Sequence, residues 1–341
     1  MRCSRGRSGT PPALIAPYLF ALAVLLPLLL AACAASPSVV SPPEVPENPA
    51  ALDAWLSARE SAVPGLIPGD EKRIEWAGAP GVATEYAISY LHGFQGSPRE
   101  YAAVIHAVAA RLGANVFYQR LKGHGVTTDE IADATRDDWL ADAREALDIG
   151  SRVGGRVILA GSSMGGDLAL WLAVRARPEP AALVLFSCAV EPREKRADLL
   201  LWSWPFPQIF VGVLIGRYWH GGFDSADYPT GDAALWARLY PPRYRSESFI
   251  TFMDVVSLVR RLPLEQVSAP SLWLFSRRDN AVDIPAMRRA FLRMGGEPRH
   301  MVEVQGAHAH MLAGDIFSPE TSGPVNAEIL SFLAECGILA P

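Results

Sequence analysis

Basic stretches are missing from this chain. Asp and Glu outnumber Lys and Arg 36 to 31, the formal net charge is −5, and no basic stripe runs along any segment, which argues against nucleic acid as a partner. Cysteine is scarce: the four are Cys3, Cys33, Cys188 and Cys336, and none has the Cys/His spacing of a zinc site. No G-x-G-x-x-G follows the first strand and no cluster of metal ligands stands out, so neither a cofactor nor a metal is expected. Internal repeats, a collagen-like period and a disordered composition are absent too. What is present is a chain of 341 residues, half of them hydrophobic, enough for one large α/β domain with additions.

The first 32 residues read as a secretory signal rather than as part of the fold. Arg2, Arg5 and Arg7 form a positive n-region, and the apolar run Ala13–Leu30, interrupted by Pro17 and Pro27, ends in small residues. The exit Leu30-Ala31-Ala32-Cys33 resembles the bacterial lipobox, which implies a lipidated Cys33 as the mature N-terminus. The prolines and the small-residue exit stand against the alternative, an uncleaved membrane anchor. Cleavage before Cys33 removes three arginines and takes the net charge from −5 to −8. Three acyl chains would hold the protein on a membrane far more firmly than one. Ala34, in place of an aspartate after the cysteine, implies by the same resemblance the periplasmic side of the outer membrane. The Pro/Ser/Ala-rich stretch that follows reads as a tether, so residues 33–70 are expected to be lipidated cysteine, tether and one short helix at Ala50–Ser61.

From residue 71 to the end the chain alternates strand and helix patterns. Strands are expected at Glu71–Glu75, Thr84–Leu91, Asn115–Arg120, Arg156–Ala160, Ala181–Cys188, Ser271–Phe275 and Met301–Val304. Helices are expected at Arg99–Leu112, Asp137–Ile149, Asp167–Arg175, Ile284–Met294 and from Pro324 to Leu333. The strands are almost continuously apolar, the mark of a mostly parallel sheet covered by helices on both faces. The alternation lapses from about 190 to 262, a segment rich in aromatics (Trp202, Trp204, Phe206, Phe210, Tyr218, Trp219, Phe223) and too apolar for a plain loop. It reads as a helical cap over the C-terminal edge of the sheet, its aromatics forming either the cap's own core or an apolar trough. Cys188, just past the apolar run Leu183–Phe186, and Cys336, in the closing helix, read as buried free thiols, with pairing in an oxidising compartment as the alternative.

The chemistry concentrates at Gly161-Ser162-Ser163-Met164-Gly165, a G-x-S-x-G between a strand and a helix. Ser163, midway between the glycines, is the expected nucleophile; Ser162 is its neighbour. Such a turn strains the nucleophile's backbone and leaves no room for a Cβ on either side. A serine hydroxyl needs an imidazole to take its proton, and the imidazole needs a carboxylate to orient it. Asp279 or Asp283 after one strand, and His308 or His310 after the next, supply both types in the order serine, acid, histidine. Asp279 stands close behind its strand, whereas Asp283 reads as the N-cap of the helix from Ile284.

These motifs jointly resemble the α/β-hydrolase superfamily, nearest its small-cap carboxylesterase and monoglyceride-lipase-like or lysophospholipase-like members, over roughly Arg73 to Leu339. The resemblance implies an α/β-hydrolase fold with a cap insertion. His92-Gly93-Phe94 after a strand resembles the oxyanion loop of that superfamily, implying backbone donors from Phe94 and Met164, with His92 bracing the loop and His124, in Gly123-His124-Gly125, structural. The run His310-Met311-Leu312-Ala313-Gly314-Asp315 resembles the His-Val-Ile/Leu-x-x-Asp run after the family's catalytic histidine and favours His310. His308 better fits a short loop after Gly306-Ala307. The implied activity is hydrolysis of a carboxylic ester, small or lipid-like, through an acyl-enzyme. The alternatives are the same triad acting on amide, thioester or carbon–carbon bonds or in acyl transfer, and an inactive fold used as an envelope binding module. A serine at 163 argues against the haloalkane and epoxide hydrolases, which would want a carboxylate there.

Overall fold

The computed structural model describes residues 43–340 except 127–128, 195–210, 212, 214–215, 220–224 and 241–242. The expected signal segment 1–32, Cys33, most of the expected tether, and Trp202, Trp204, Phe206, Phe210 and Phe223 of the expected cap lie outside the described residues.

The strands are β1 (Arg73–Glu75), β2 (Thr84–Leu91), β3 (Asn115–Gln119), β4 (Gly154–Ser162), β5 (Ala182–Phe186), β6 (Tyr218–Trp219), β7 (Tyr244–Arg245), β8 (Ser271–Phe275) and β9 (Arg299–Glu303). Seven form one sheet in the order β1-β3-β2-β4-β5-β8-β9. β1 is antiparallel to β3; every other neighbouring pair is parallel. The helices are α1 (Leu52–Glu60), α2 (Ala102–Leu112), α3 (Arg136–Val153), α4 (Met164–Arg175), α5 (Ala233–Leu239), α6 (Ser248–Arg260), α7 (Ile284–Arg293) and α8 (Pro319–Glu335).

Near-continuous apolar strands follow from burial on both faces. Successive residues alternate between two cores: Val157, Leu159, Leu183, Leu185 and Trp273 enter one, while Ile158, Ala160, Val184, Phe186, Leu272 and Leu274 enter the other. The first core is closed by α1, α3, α4, α6 and α7, the second by α2, α5 and α8. Each fully buried aliphatic side chain of this kind contributes about 1.5–3 kcal/mol. The carboxyl ends are in register: Leu91 pairs with Gly161, Ser162 with Phe186, Phe186 with Leu274, and Phe275 with Glu303. Loops leaving β2, β4, β5, β8 and β9 therefore open on one edge of the sheet.

Several element ends differ from the expectation. Arg99–Tyr101 are turn residues, and α2 starts at Ala102, because Pro98 and the turn Glu100 N–H to Ser97 carbonyl (3.1 Å) delay it. The closing helix begins at Pro319, whose fixed φ suits a first helical position, so Pro324 lies inside it. Cys188 is buried and free; Cys336 is also free but only half-buried. Within the expected insertion, β6 and β7 form a short antiparallel ribbon. Met253, Val255, Val256 and Val259 of α6 share the main core with Leu168 and Leu172 of α4.

Helix α1 is joined to the domain by its core and by charge. Leu52 and Leu56 enter the first core. At its end Arg120 grips Glu60 with two bonds, Nε to Oε2 at 2.7 Å and Nη2 to Oε1 at 2.8 Å, while the Lys72 backbone N–H donates to Oε2 at 2.9 Å. Burial would raise the Glu60 carboxyl, but Arg120 and Lys72 hold it below the usual carboxylate value. Removing the cation leaves a buried carboxylate uncompensated. Arg120→Ala is expected to lower stability by about 3–5 kcal/mol in urea unfolding, and Glu60→Leu with Arg120→Met to lower it by much less.

Candidate active site

The site starts at the turn between β4 and α4. Ser163 sits there with φ 50° and ψ −118°, outside the comfortable regions for an L-residue, at a cost of roughly 1–3 kcal/mol. Its neighbours hold it so. Its N–H donates to the Phe186 carbonyl at 2.8 Å, and its own carbonyl accepts from Gly166 (3.0 Å) and Ala189 (3.1 Å). Backbones crowd the motif glycines: a Cβ on Gly161 would lie 2.4 Å from the Gly165 carbonyl oxygen, and one on Gly165 only 2.0 Å from that of Leu91. The end of β2 thus presses against the first turn of α4.

The loop after β2 lies directly on the serine, since a Cβ on Gly93 would come within 3.1 Å of Ser163 Cβ. Two histidines brace it. The Leu121 N–H donates to His92 Nε2 at 3.0 Å, and the Gln95 N–H donates to His124 Nε2 at 3.1 Å. Their protons therefore sit on Nδ1, which faces the Gly93 carbonyl in His92 (2.9 Å) and the Lys122 carbonyl in His124 (3.2 Å). Burial drives both well below the ordinary imidazole value, His124 to about 4, so both are neutral. The Phe94 ring stacks on Phe252 (centroids 4.9 Å apart) and meets Phe249 (5.4 Å) and Trp139 (6.1 Å) edge-on. Trp219 joins the cluster through Phe249 at 4.6 Å. An aromatic anchor from α3 and α6 so fixes the backbone between Gly93 and Gln95.

Across the same edge, the loops after β8 and β9 bring Asp279 and His310 together. His310 Nδ1 faces Asp279 Oδ2 at 2.9 Å and Oδ1 at 3.1 Å, with both side chains buried. Asp279 Oδ1 also accepts the N–H groups of Ala281 (2.9 Å) and Val282 (3.0 Å). Burial would raise this carboxyl, but His310 and those two N–H groups hold it below the usual value. Burial alone would lower His310; Asp279, and then Glu100, raise it above the ordinary imidazole value. The His310 loop is pinned by Ser187 Oγ, which donates to the His310 carbonyl (2.9 Å), and by Tyr228 and Tyr101, whose hydroxyls accept from Met311 (3.1 Å) and Leu312 (2.9 Å). The β5–Ala189 segment thus holds Ser163 through Phe186 and Ala189, and His310 through Ser187.

Of the alternatives, Asp283 caps α7, accepting the Ala286 N–H at 2.7 Å. His308 is a third exposed and pairs with Glu320 at 3.4 Å. Sequence reasoning missed the buried cluster of Glu100, Tyr90 and Ser162 behind the serine, where Ser162 Oγ donates to Glu100 Oε2 at 2.8 Å. The only local signal was Gly96 four residues before Glu100. Among the described residues no group of three His, Cys, Asp or Glu is placed to hold a metal ion. A cavity of 590 Å³ lined by Leu56, Glu60, Lys72 and Arg73 lies at the α1–β1 edge, away from all of these residues.

A mostly parallel sheet with a strained serine between strand and helix, and an acid and a histidine after later strands, defines an α/β-hydrolase. The family model described as serine aminopeptidase, S33, matches residues 83–316, and the chain belongs to that hydrolase family. A thermostable monoacylglycerol lipase of Bacillus sp. (strain H-257) is 33% identical over 104 residues, 30% of this chain and 41% of that protein. Less than half of that relative's length is therefore matched. The fold is similar to that of the metagenome-derived lipolytic enzymes LipS and LipT (TM-score 0.65, 21% identity, 79% of this chain and 99% of that one). It is also similar to a soluble variant of the Saccharomyces cerevisiae monoglyceride lipase (TM-score 0.60, 14% identity, 78% and 91% covered).

One buried acid lies behind the serine in α4. Asp167 is fully buried and accepts from Cys188 Sγ at 3.2 Å, and burial pushes its carboxyl up to about 7. The folded state holds this proton more tightly than the unfolded chain, so stability falls as pH rises from the ordinary 3.8 to about 7 and then levels off. Asp167→Asn cannot titrate. Its melting temperature relative to the parent chain is expected to climb over that same interval, measured by calorimetry across pH.

Proposed function

We propose that this chain hydrolyses a carboxylic ester through a Ser163–His310–Asp279 triad. The observation that carries the reading is the strained Ser163 turn on the same sheet edge as the buried Asp279–His310 pair. His310 Nε2 takes the Ser163 hydroxyl proton while Oγ attacks the ester carbonyl carbon. The carbonyl oxygen becomes an oxyanion facing the backbone N–H groups of Phe94 and Met164, an arrangement commonly worth about 3–4 kcal/mol per donor. The intermediate collapses, the C–O bond to the alcohol breaks, and His310 returns the proton to the departing oxygen. A water then repeats the sequence on the acyl-serine, releasing the acid. Asp279 holds His310 with its proton on Nδ1 and stabilises the imidazolium.

A monoacylglycerol or similar lipid-like ester is the substrate class favoured by the lipase relative and by the apolar residues of the 190–262 segment. The family's description supports a second reading, hydrolysis of an amide at a peptide N-terminus, by the same bond sequence with an amine leaving. Paired p-nitrophenyl esters and aminoacyl-p-nitroanilides separate the two, since only the leaving group and its recognition differ. Cys33 is proposed to carry lipid and hold the enzyme on the periplasmic side of a bacterial outer membrane. Palmitate incorporation in a producing bacterium is expected to vanish in Cys33→Ala; incorporation that persists would rule the anchor out.

Ser163→Ala is expected to lower kcat/KM for the hydrolysed substrate by about 10⁴-fold or more, and to abolish labelling by a fluorophosphonate. His310→Ala is expected to do the same, while His308→Ala stays within a few-fold of the parent. A chain labelled normally after Ser163→Ala would remove the reading altogether. The reaction requires neutral His310, whose pKa is raised, so the rate falls as pH drops through that raised value. The acid limb of kcat/KM is therefore expected above the ordinary imidazole range, read from a pH–rate profile.

A further inference from the structure

The triad leaves one ionisable group at the centre of the site unused. Glu100 is 1% exposed, and among the described residues it has no Lys or Arg partner. Three donors converge on its Oε2: Ser162 Oγ at 2.8 Å, the Gly93 backbone N–H at 3.2 Å and Tyr90 OH at 3.2 Å. Tyr90 OH also lies 3.1 Å from Ser162 Oγ, so its single proton is shared between the two. The other carboxylate oxygen occupies space that only a glycine leaves open, since a Cβ on Gly96 would be 2.1 Å from Oε1. Its backbone touches the third loop of the site: a Cβ on Gly314, four residues past His310, would be 2.3 Å from the Glu100 carbonyl oxygen.

The placement of these donors is specific. Gly93 immediately precedes Phe94, the proposed first oxyanion donor. Ser162 immediately precedes Ser163 and stands two before Met164, the proposed second donor. One oxygen atom therefore ties together the two backbone segments whose separation sets the oxyanion hole. We propose that Glu100 is a positioning residue whose buried carboxylate locks the oxyanion loop to the nucleophile turn. The proposal rests on the triad reading above. A carboxylate suits the task because it is purely an acceptor and can satisfy converging donors at once. A displacement of even about 1 Å between nucleophile and oxyanion donors can cost roughly 10²-fold in rate.

A carboxylate here also bears on His310. The titratable groups around the pair are Tyr90 on β2, Tyr101 beside Glu100, Tyr228, Tyr240 and Tyr244 from the insertion, and Asp279 on the β8 loop. Burial pushes all five tyrosines up, so they stay neutral; Asp279 is held below the usual carboxylate value, and three donors converging on one oxygen suit the carboxylate form of Glu100. Burial holds the Glu100 carboxyl above the usual value, against the lowering by Ser162, Gly93, Tyr90 and His310. Glu100 follows Asp279 in holding His310 above the ordinary imidazole value.

The two ends of the strut can be cut separately. Steady-state hydrolysis of a p-nitrophenyl ester and the rate of fluorophosphonate labelling are measured for the parent, Glu100→Gln, Ser162→Ala and Ser163→Ala, with folding checked by circular dichroism. Both strut variants are expected to lose roughly 10- to 100-fold in kcat with KM within about threefold. Glu100→Gln is expected to move the acid limb of the pH–rate profile to lower pH, because it removes the carboxylate facing His310; Ser162→Ala, which keeps that carboxylate and takes away one donor, is expected to move the limb less. A merely structural role would not separate the two profiles. Folded Glu100→Gln with parental kcat and an unmoved acid limb overturns the proposal. Should Glu100→Gln not fold, Ser162→Ala with parental kcat overturns it equally. A folded parent chain that takes no label on Ser163 would instead sink the triad reading, so the two failures are distinct.

Discussion

The closest backbone approach in the site governs much of the rest. The first turn of α4 lies so near the end of β2 that no side chain fits between the Leu91 carbonyl and Gly165, nor between Gly161 and the Gly165 carbonyl. That contact forces the chain to reverse within one residue, and Ser163 takes the strain, with φ at 50°. The strain is tolerable because the surroundings over-determine it. The parallel register of β2, β4 and β5 fixes both flanks, the Ser163 N–H is bonded to Phe186 at the end of β5, and its carbonyl accepts from Ala189 just beyond. Parallel pairing of β5 with β8 and of β8 with β9 brings the loops carrying Asp279 and His310 to the same edge.

Around this turn the protein separates its polar groups by charge state. His92 and His124, buried without a counter-ion among the described residues, stay neutral and act as hydrogen-bonding struts for the loop through Phe94. His310, equally buried, is raised instead, because a carboxylate faces its Nδ1. Three imidazoles in one neighbourhood thus differ through their partners, not their burial. The 190–262 segment contributes as well. Phe249 and Phe252 of α6 grip the Phe94 ring, and the Tyr228 hydroxyl holds the His310 loop, so both halves of the site lean on the 190–262 segment.

Strand and helix alternation was legible because each sheet position contributes to one of two apolar cores. Thr84–Leu91 and Ser271–Phe275 were read to the residue. Boundaries set by proline were less legible: a helix was expected directly after Pro98, and the turn bond from Glu100 to Ser97 delays it to Ala102. Ser163 stood out because glycines flank it, and glycine spacing is a direct imprint of backbone crowding. Between Asp279 and Asp283, a cap signature was readable for Asp283. Between His308 and His310 the loop alone offered two reasonable readings, and only the resemblance of the run after His310 favoured one; in the structure Asp279, arriving from another strand, meets His310.

The sequence by itself determined the layered α/β sheet, the position of the strained serine and the kinds of side chain available to assist it. These depend on local periodicity and on glycine, whose effects act within a few residues. The tertiary structure alone decided which histidine meets the acid and that Glu100 lies buried beneath the serine. Glu100 follows Pro98 in a polar stretch and reads like any surface acid. Its burial comes from Tyr90 and Ser162, ten and 62 residues away in sequence, and its fit from the missing side chain of Gly96. A carboxylate's environment is made by elements distant in sequence, and no local pattern encodes it.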